Sequence, residues 1–189
     1  GCTVPPTNMP DTPHRPDTTE QDRRSALLKA GALQNAILTS PNFSIIATDE
    51  KGIIQLFNVG AERMLGYRAD EVVNRIRPSD IHDPEEVAER ARALSLELDT
   101  PITPGFEALV FKASRGIEDI YELTYIRKDG SRLSAMVSVT ALRNRYDTII
   151  GYLLIGTDNT ARKQEEAERK GFERALEEKN LELEHASHM

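Results

Sequence analysis

The sequence predicts an α+β domain in which a five-stranded antiparallel sheet carries helices on one face, with long helices before and after it. Five short runs rich in β-branched and aromatic residues are separated by turn sequences, which predicts the sheet. Apolar residues recur at helical spacing between the second and third runs and at both ends of the chain, which predicts the helices. At 189 residues the chain is long enough to bury a hydrophobic core.

The predicted strands are joined by turns of well-understood chemistry. Residues 49–52 and 128–130 both end in a glycine, which adopts the positive φ that a tight hairpin needs. Residues 144–147 form the turn before the last strand. The five strands are expected at residues 44–48, 53–57, 121–127, 133–142 and 149–157.

Capping signals locate the first helices that cover the sheet. Asn58 is expected to cap a short helix that stops at Gly66, and a second short helix follows at residues 69–73. Pro84 suits the first turn of a longer helix that Asp83 caps. These residues therefore predict three helices between the second and third strands.

An additional helix is predicted before the third strand. Pro101 and Pro104 precede residues 106–116, which have helical periodicity. Gly116 is the expected C-cap of this helix. We expect the helix to flank the domain interior.

The two ends of the chain are predicted to form a disordered tail and two helices outside the sheet domain. Residues 1–18 are rich in proline and poor in large apolar groups, which predicts a disordered tail, whereas residues 19–40 predict an amphipathic helix. Residues 161–189 predict a helix with a short heptad seam in which Lys179 is the exception. The side chains expected at a homodimer interface are Ala26, Ala30, Leu33 and Ile37 in the first helix and Phe172, Leu176 and Leu183 in the last.

Composition excludes several functional classes. The net charge of -7 and the lack of a Lys/Arg cluster argue against a nucleic-acid partner. The longest apolar run, residues 149–155, is too short to cross a bilayer, so no membrane association is expected. The single cysteine, Cys2, excludes an intrachain disulfide and fits a reducing compartment, which predicts a cytoplasmic location.

No arrangement of residues for catalysis is recognisable. The sequence pairs no nucleophile with a base and contains no phosphate-binding glycine loop or metalloprotease spacing, so this chain is not expected to be an enzyme. His82 is interpreted as a residue that caps or packs its loop. His185 and His188 have a spacing that can hold a metal, but they lie near the terminus and are expected to face solvent. No metal site is therefore predicted.

Several linked motifs resemble those of the PAS domain, a sensor and dimerisation module. TDEKGIIQLFNVGAERMLGY begins at Thr48, and the later segments YIRKDGSRLSAMVSVTAL and IIGYLLIGTDNTARKQ follow in the expected order. The resemblance implies a PAS domain over residues 41–160. The final residues ALEEKNLELEHASHM resemble the helical approach to the dimerisation and phosphoacceptor domain of a bacterial histidine kinase.

The resemblance implies a regulatory sensor and homodimerisation module of a bacterial two-component protein. Its output helix would feed a histidine kinase domain of the same polypeptide. One alternative is a redox, gas or light sensor that holds flavin or haem. Others are a ligand-free dimerisation scaffold and a PAS module of a different output protein, such as a cyclic-dinucleotide enzyme.

For cofactors, the resemblance favours none while leaving flavin and haem open. The positions where a haem-binding relative would carry its axial histidine are Val87 and Ala88 here, and Met64 and Met136 are only remote substitutes. The segment NRIRPSD lacks the cysteine of a light-oxygen-voltage photosensor, which excludes adduct formation but not non-covalent flavin binding. The side chains expected around a ligand pocket are Ile46, Leu56, Met64, Leu65, Ile81, Val87, Leu123, Met136, Ser138, Leu153 and Ile155.

Signal coupling is expected at the end of the last strand. Asp158, Asn159 and Thr160 resemble the Asp-x-Thr motif that joins a PAS sheet to its output helix. Thr160 is expected to cap that helix, and Asp158 is expected to tie it back to the domain.

Overall fold

The computed structural model describes residues 1–4, 21–22, 31–32 and 34–187. The strands in these residues are β1 (Ser44–Asp49), β2 (Ile54–Phe57), β3 (Asp119–Ile126), β4 (Arg132–Arg143) and β5 (Ile149–Asp158). The helices are α1 (Val59–Leu65), α2 (Ala69–Val72), α3 (Pro84–Glu97), α4 (Phe106–Ser114) and α5 (Thr160–Ser187), with a single 3₁₀ turn at Pro78–Ile81. The predicted α+β fold is confirmed.

The predicted N-terminal helix falls largely outside the described residues. Within it, residues 21–22, 31–32 and 34–39 are helical. Of its four expected interface side chains, Ala26, Ala30 and Leu33 lie outside the described residues, and Ile37 is half-buried. None of the helices in the described parts of the chain is long and apolar enough to cross a membrane.

The sheet has the strand order β2-β1-β5-β4-β3, and every neighbouring pair is antiparallel. The first strand of the domain therefore pairs with the last. Ser44 lies opposite Gly156, and Ile45 lies opposite Ile155. Because side chains alternate across a strand, one face of this sheet faces the core and the other faces away from it.

Caps predicted from the sequence position the helices over the buried face. Asn58 accepts a hydrogen bond from the Ala61 amide at 2.8 Å and so caps α1. Asp83 accepts from the Glu85 amide at 2.9 Å at the start of α3. At the end of α4 the cap is Arg115, one residue before the predicted Gly116, which follows it with a φ of 73°. The buried side chains of α4 include Ala108, Leu109, Val110, Phe111 and Ala113.

The edge strand β3 is closed at Thr124 by the beginning of α3. Glu86 accepts hydrogen bonds from the Thr124 amide at 2.9 Å and from the Thr124 hydroxyl at 3.0 Å. The Thr124 carbonyl accepts from the Asp83 amide at 3.0 Å. Both backbone groups of Thr124 that face away from β4 are therefore paired with α3 and its cap.

His82 packs into the core, as the sequence predicted for this loop. Its ring is stacked on that of Tyr125, with ring centroids 4.2 Å apart, and its Nδ1 lies 3.4 Å from the Thr124 carbonyl oxygen. Burial lowers the pKa of His82 from 6.5 to about 4, because the buried imidazolium would lose its hydration. The folded protein therefore holds this imidazole neutral.

This burial predicts a loss of stability in mild acid. Well above pH 6.5 the His82 imidazole is neutral in both the folded and the unfolded protein. Between pH 6.5 and 4 it binds a proton in the unfolded protein but stays neutral in the folded protein, so the unfolding free energy falls as the pH falls. We expect the wild type to lose about 2 kcal/mol more of its unfolding free energy between pH 7.5 and 5 than His82→Asn does. Urea unfolding at both pH values measures this. Equal losses in the two proteins would contradict the assignment.

Candidate functional site

Four buried polar atoms between the sheet and the helices have no hydrogen-bond partner among the described residues. They are Ser44 Oγ, His82 Nε2, Tyr121 Oη and Tyr125 Oη. Leaving a buried donor or acceptor unsatisfied costs about 1–3 kcal/mol, so such groups are rare in folded proteins. Their occurrence together distinguishes this interior from a purely apolar core.

Three of these groups, from β1, β3 and the loop before α3, lie near one another on the core side of the sheet. Ser44 on β1 lies opposite Gly156 on β5, where the absent side chain leaves space. A Cβ at Gly156 would lie 3.6 Å from Ser44 Cβ and 3.7 Å from Tyr125 Oη. His82 stacks on the same tyrosine ring. The Ser44 and Tyr125 hydroxyls thus lie beside the space at Gly156, and the His82 imidazole is stacked on the Tyr125 ring; we call this cluster of polar groups the polar interior.

Tyr121 extends the polar interior along β3. It lies four residues before Tyr125, on the same face of the strand, and its ring lies 4.2 Å from the Arg90 guanidinium. Arg90 is held by a hydrogen bond to Asp119 at 2.7 Å. Burial raises the pKa of both tyrosines above the usual value, so the hydroxyls stay protonated and can donate hydrogen bonds.

The residues that the sequence placed around a ligand pocket divide between the two faces of the sheet. The six that lie in or against the core are Ile46, Met64, Leu65, Ile81, Val87 and Leu123. They pack against the helices and strands that enclose the polar interior. Their role in ligand binding stays a prediction.

The other five pocket candidates lie on the opposite face of the sheet, so their expected orientation is wrong. These residues are Leu56, Met136, Ser138, Leu153 and Ile155. In β4 the buried residues are Leu133, Ala135, Val137 and Val139, one position out of phase with Met136 and Ser138. A shift of one residue moves a strand side chain to the other face. The sequence of β5 is apolar on both faces and did not reveal the correct phase, whereas Ser134, Ser138 and Thr140 mark the outer face of β4.

Sequence reasoning also missed the three hydroxyl members of the site. Tyr121 and Tyr125 were assigned to a strand but not to its buried face, although the alternation with Leu123 between them could have indicated it. Ser44 gave no local signal, because its neighbour Gly156 lies far away in the sequence.

The polar interior does not fit a flavin or a haem as it is packed here. Tyr125 is fully buried, its ring is stacked on that of His82, and its Cε2 and Oη lie 3.5 and 3.7 Å from the position of a Cβ at Gly156. A three-ring flavin or a haem would have to displace this tyrosine. Cys2, the only cysteine of the chain, is exposed in the N-terminal unit. No group of three or more metal-binding side chains occurs in the part of the chain that the structure describes.

The exit from the sheet differs in detail from the prediction. Thr160 is the first residue of α5 and donates its amide to Asp158 Oδ1 at 2.8 Å. Asp158 therefore serves the helix start, while the tie to the sheet comes from Asn159, whose amide donates to the Ser134 carbonyl at 2.9 Å. The Lys163 amide donates to the Asn159 carbonyl at 3.0 Å and continues the helix.

A salt bridge also joins the first turn of α5 to the sheet. Lys163 Nζ lies 2.7 Å from Glu122 Oε1 on β3. The hydrogen bond from Lys163 holds the pKa of Glu122 below its usual range. The orientation of α5 is thus linked to β3 and β4 by one side-chain pair and one backbone hydrogen bond.

Beyond this turn, α5 presents an exposed apolar seam. Phe172, Leu176 and Leu183 are 70%, 51% and 66% exposed. They follow the spacing of a heptad seam, whereas Leu181, which is 65% exposed, lies on the opposite side of the helix.

Comparison with known proteins places these features in a family. Residues 41–161 match the family model described as PAS domain. An RNA-binding light-oxygen-voltage receptor is similar in fold, with 21% identity, 90% of this chain and 42% of that chain covered, and a TM-score of 0.59. A sensory box histidine kinase/response regulator from Burkholderia thailandensis shares 15% identity, covers 77% of this chain and 97% of that one, and has a TM-score of 0.52.

At these identities the two structural relatives show a common fold. The family model spans well over half of the sequence and includes the whole sheet, its covering helices and the first residues of α5. This chain belongs to the PAS domain family.

Proposed function

We propose that this chain is the regulatory sensor and dimerisation module of a two-component signalling protein, which relays a change in its PAS core to α5. The observation that carries the proposal is the junction at residues 158–163. There the sheet ends, the helix begins, and Lys163 pairs with Glu122 on a different strand. A shift of β3 or β4 relative to β5 must move one of these contacts, and the helix with it.

Homodimerisation through α5 is the second part of the proposal. Exposed Phe172, Leu176 and Leu183 would be buried against the same residues of a second copy. The seam is short, and Gly171 and Lys179 weaken it. Such marginal association suits a relay, because a helix pair of low stability can shift between two arrangements.

The kinase output rests on the resemblance of residues 175–189 to the helical approach of a histidine kinase. Under this proposal the kinase domain follows in the same polypeptide, and this segment performs no catalysis itself. The change received by the core would alter the arrangement of two α5 helices at the entrance to that domain.

A second candidate function, ligand sensing, is favoured by the polar interior. Three buried hydroxyls and one imidazole nitrogen, which lack a hydrogen-bond partner within the described part of the chain, would suit a small neutral molecule that both donates and accepts hydrogen bonds. A charged ligand is disfavoured, because Arg90 and Asp119 already neutralise each other nearby. A Cβ at Gly156 would already be in van der Waals contact with Tyr125 and Ser44, so the space there favours a molecule far smaller than a flavin.

The relay predicts a specific effect of Asp158→Ala. This change removes the acceptor of the Thr160 amide, an N-terminal cap worth about 1 kcal/mol, so amides of residues 160–165 should exchange hydrogen about fivefold faster. In the full-length protein the dependence of kinase activity on stimulus should fall, while the fold is kept because Asp158 is exposed.

The matched control for Asp158→Ala is Glu173→Ala, which breaks a pair with Arg169 made entirely within α5. It should leave both the exchange of the first turn and the stimulus dependence unchanged. Unaltered stimulus dependence in Asp158→Ala would count against the relay.

The dimer seam predicts a difference between two leucines of similar exposure. Leu176→Lys places a charge on the seam and should lower the dimer fraction at least several-fold, because two like charges would face each other. Leu181→Lys makes the same chemical change on the opposite side of α5 and should leave the dimer fraction unchanged. Sedimentation velocity over a range of protein concentrations measures both. Equal effects of the two changes would exclude this seam.

Ligand sensing predicts whether removal of the Tyr125 hydroxyl lowers or raises the unfolding free energy. If a bound molecule pairs with Tyr125 Oη, Tyr125→Phe should lower the unfolding free energy by about 1 kcal/mol; removal of an unpaired hydroxyl should instead be neutral or stabilising. Tyr146→Phe, in an exposed turn, is the control. Urea unfolding measures the difference, and mass spectrometry of the denatured protein identifies the molecule. The visible absorption spectrum of the native protein tests for flavin and haem.

A further inference from the structure

Asn58 is a buried side chain that joins β1 to the start of α1. It is 1% exposed. Its Oδ1 accepts hydrogen bonds from the Ile45 amide at 2.9 Å and from the Ala61 amide at 2.8 Å. The capping role predicted from the sequence therefore accounts for only half of what this side chain does.

The amide group of the same side chain holds the segment before β1. Asn58 Nδ2 donates to the carbonyls of Ile37 and Phe43, both at 3.0 Å, and more distantly to that of Ser40 at 3.3 Å. Residues 34–39 are helical, so the Ile37 carbonyl lies in a last helical turn, where carbonyls lack a partner within the helix. The side-chain carboxamide of Asn58 thus makes hydrogen bonds with the end of one helix, the start of the next and the first strand.

The backbone around Gly60 fixes this segment independently. A Cβ at Gly60 would lie 1.9 Å from the Phe43 carbonyl oxygen and 2.7 Å from that of Ser40. The chain at residues 40–43 therefore rests directly on the backbone of α1. A movement of residues 37–43 cannot be absorbed by loose packing at this point and must act on Asn58 or α1.

Two paired strands of the sheet connect the Asn58 contacts with the start of α5. Ile45, whose amide Asn58 holds, is paired with Ile155 on β5. β5 ends three residues later at Asp158, which accepts the first amide of α5. Only two adjacent strands separate the segment that enters the domain from the helix that leaves it.

We propose that Asn58 is the input coupling residue of this domain, through which a displacement of residues 37–43 is transmitted across β1 and β5 to α5. The relay would then respond to the preceding segment of the polypeptide as well as to its own interior. This proposal rests on the proposed function in one respect, namely that α5 is the output helix. Coupling between two sites is reciprocal in free energy, so a change at α5 must also be felt at residues 37–43.

The first test uses Asn58→Asp, which keeps an acceptor for the Ile45 and Ala61 amides and removes the donor to the three carbonyls. Hydrogen exchange of the full 189-residue chain should be at least about tenfold faster in residues 34–43, because the loss of even one hydrogen bond has about this effect, and at least about threefold faster in residues 160–166. Gln55→Ala is the control, because within the described residues the Gln55 amide donates to the carbonyl of Ile53, two residues before it, and not to residues 37–43. Faster exchange confined to residues 34–43 would overturn the proposal.

The reciprocal test uses Lys163→Ala, an exposed change that leaves Asn58 intact. Exchange in residues 34–43 should rise at least about twofold, whereas Glu173→Ala, within α5, should not change it. Unchanged exchange at residues 34–43 in Lys163→Ala would overturn the proposal even if Asn58→Asp fails to fold. Neither measurement uses a stimulus or a kinase, so their outcome is separate from that of Asp158→Ala in the full-length protein.

Discussion

The pairing of β1 with β5 is the constraint on which the rest of this structure depends. These strands are separated by about a hundred residues of sequence, and their antiparallel alignment places Ser44 beside Gly156. The polar interior, the Asn58 contacts and the exit at Asp158 all lie along this pair. Because closing such a long loop costs conformational entropy before its contacts form, the pair is also expected to be a late and cooperative step of folding.

The local elements of the fold could be predicted from the sequence, whereas the arrangement of the strands could not. Asn58, Asp83 and Pro84 carry short-range signals that act within one turn of helix, and the structure confirms the helices that they begin. Which strand lies beside which depends on contacts between distant residues. The family resemblance supplied the overall fold, and the cross-strand pairs had to come from the structure.

The candidate site was less accessible to prediction for two physical reasons. β5 carries apolar residues on both faces, so the alternation that normally reveals the buried side has no contrast there; in β4, apolar Met136 interrupts the outer face that Ser134, Ser138 and Thr140 mark. The polar groups of the interior suggest a binding site only because they are buried together, and this burial depends on contacts between distant residues. Tyr125 and Ser44 are ordinary strand residues until Gly156 brings them to one place.

The closed edge of β3 has a consequence for how copies of this domain can associate. An edge strand usually offers free backbone groups to a strand of another molecule. At Thr124 those groups are engaged by Glu86 and by the amide of Asp83. Another chain could not extend the sheet there without displacing α3, so continuous sheets between molecules are suppressed at this edge. Assembly is thereby directed toward side-chain packing, which can be broken and re-formed without disturbing the sheet.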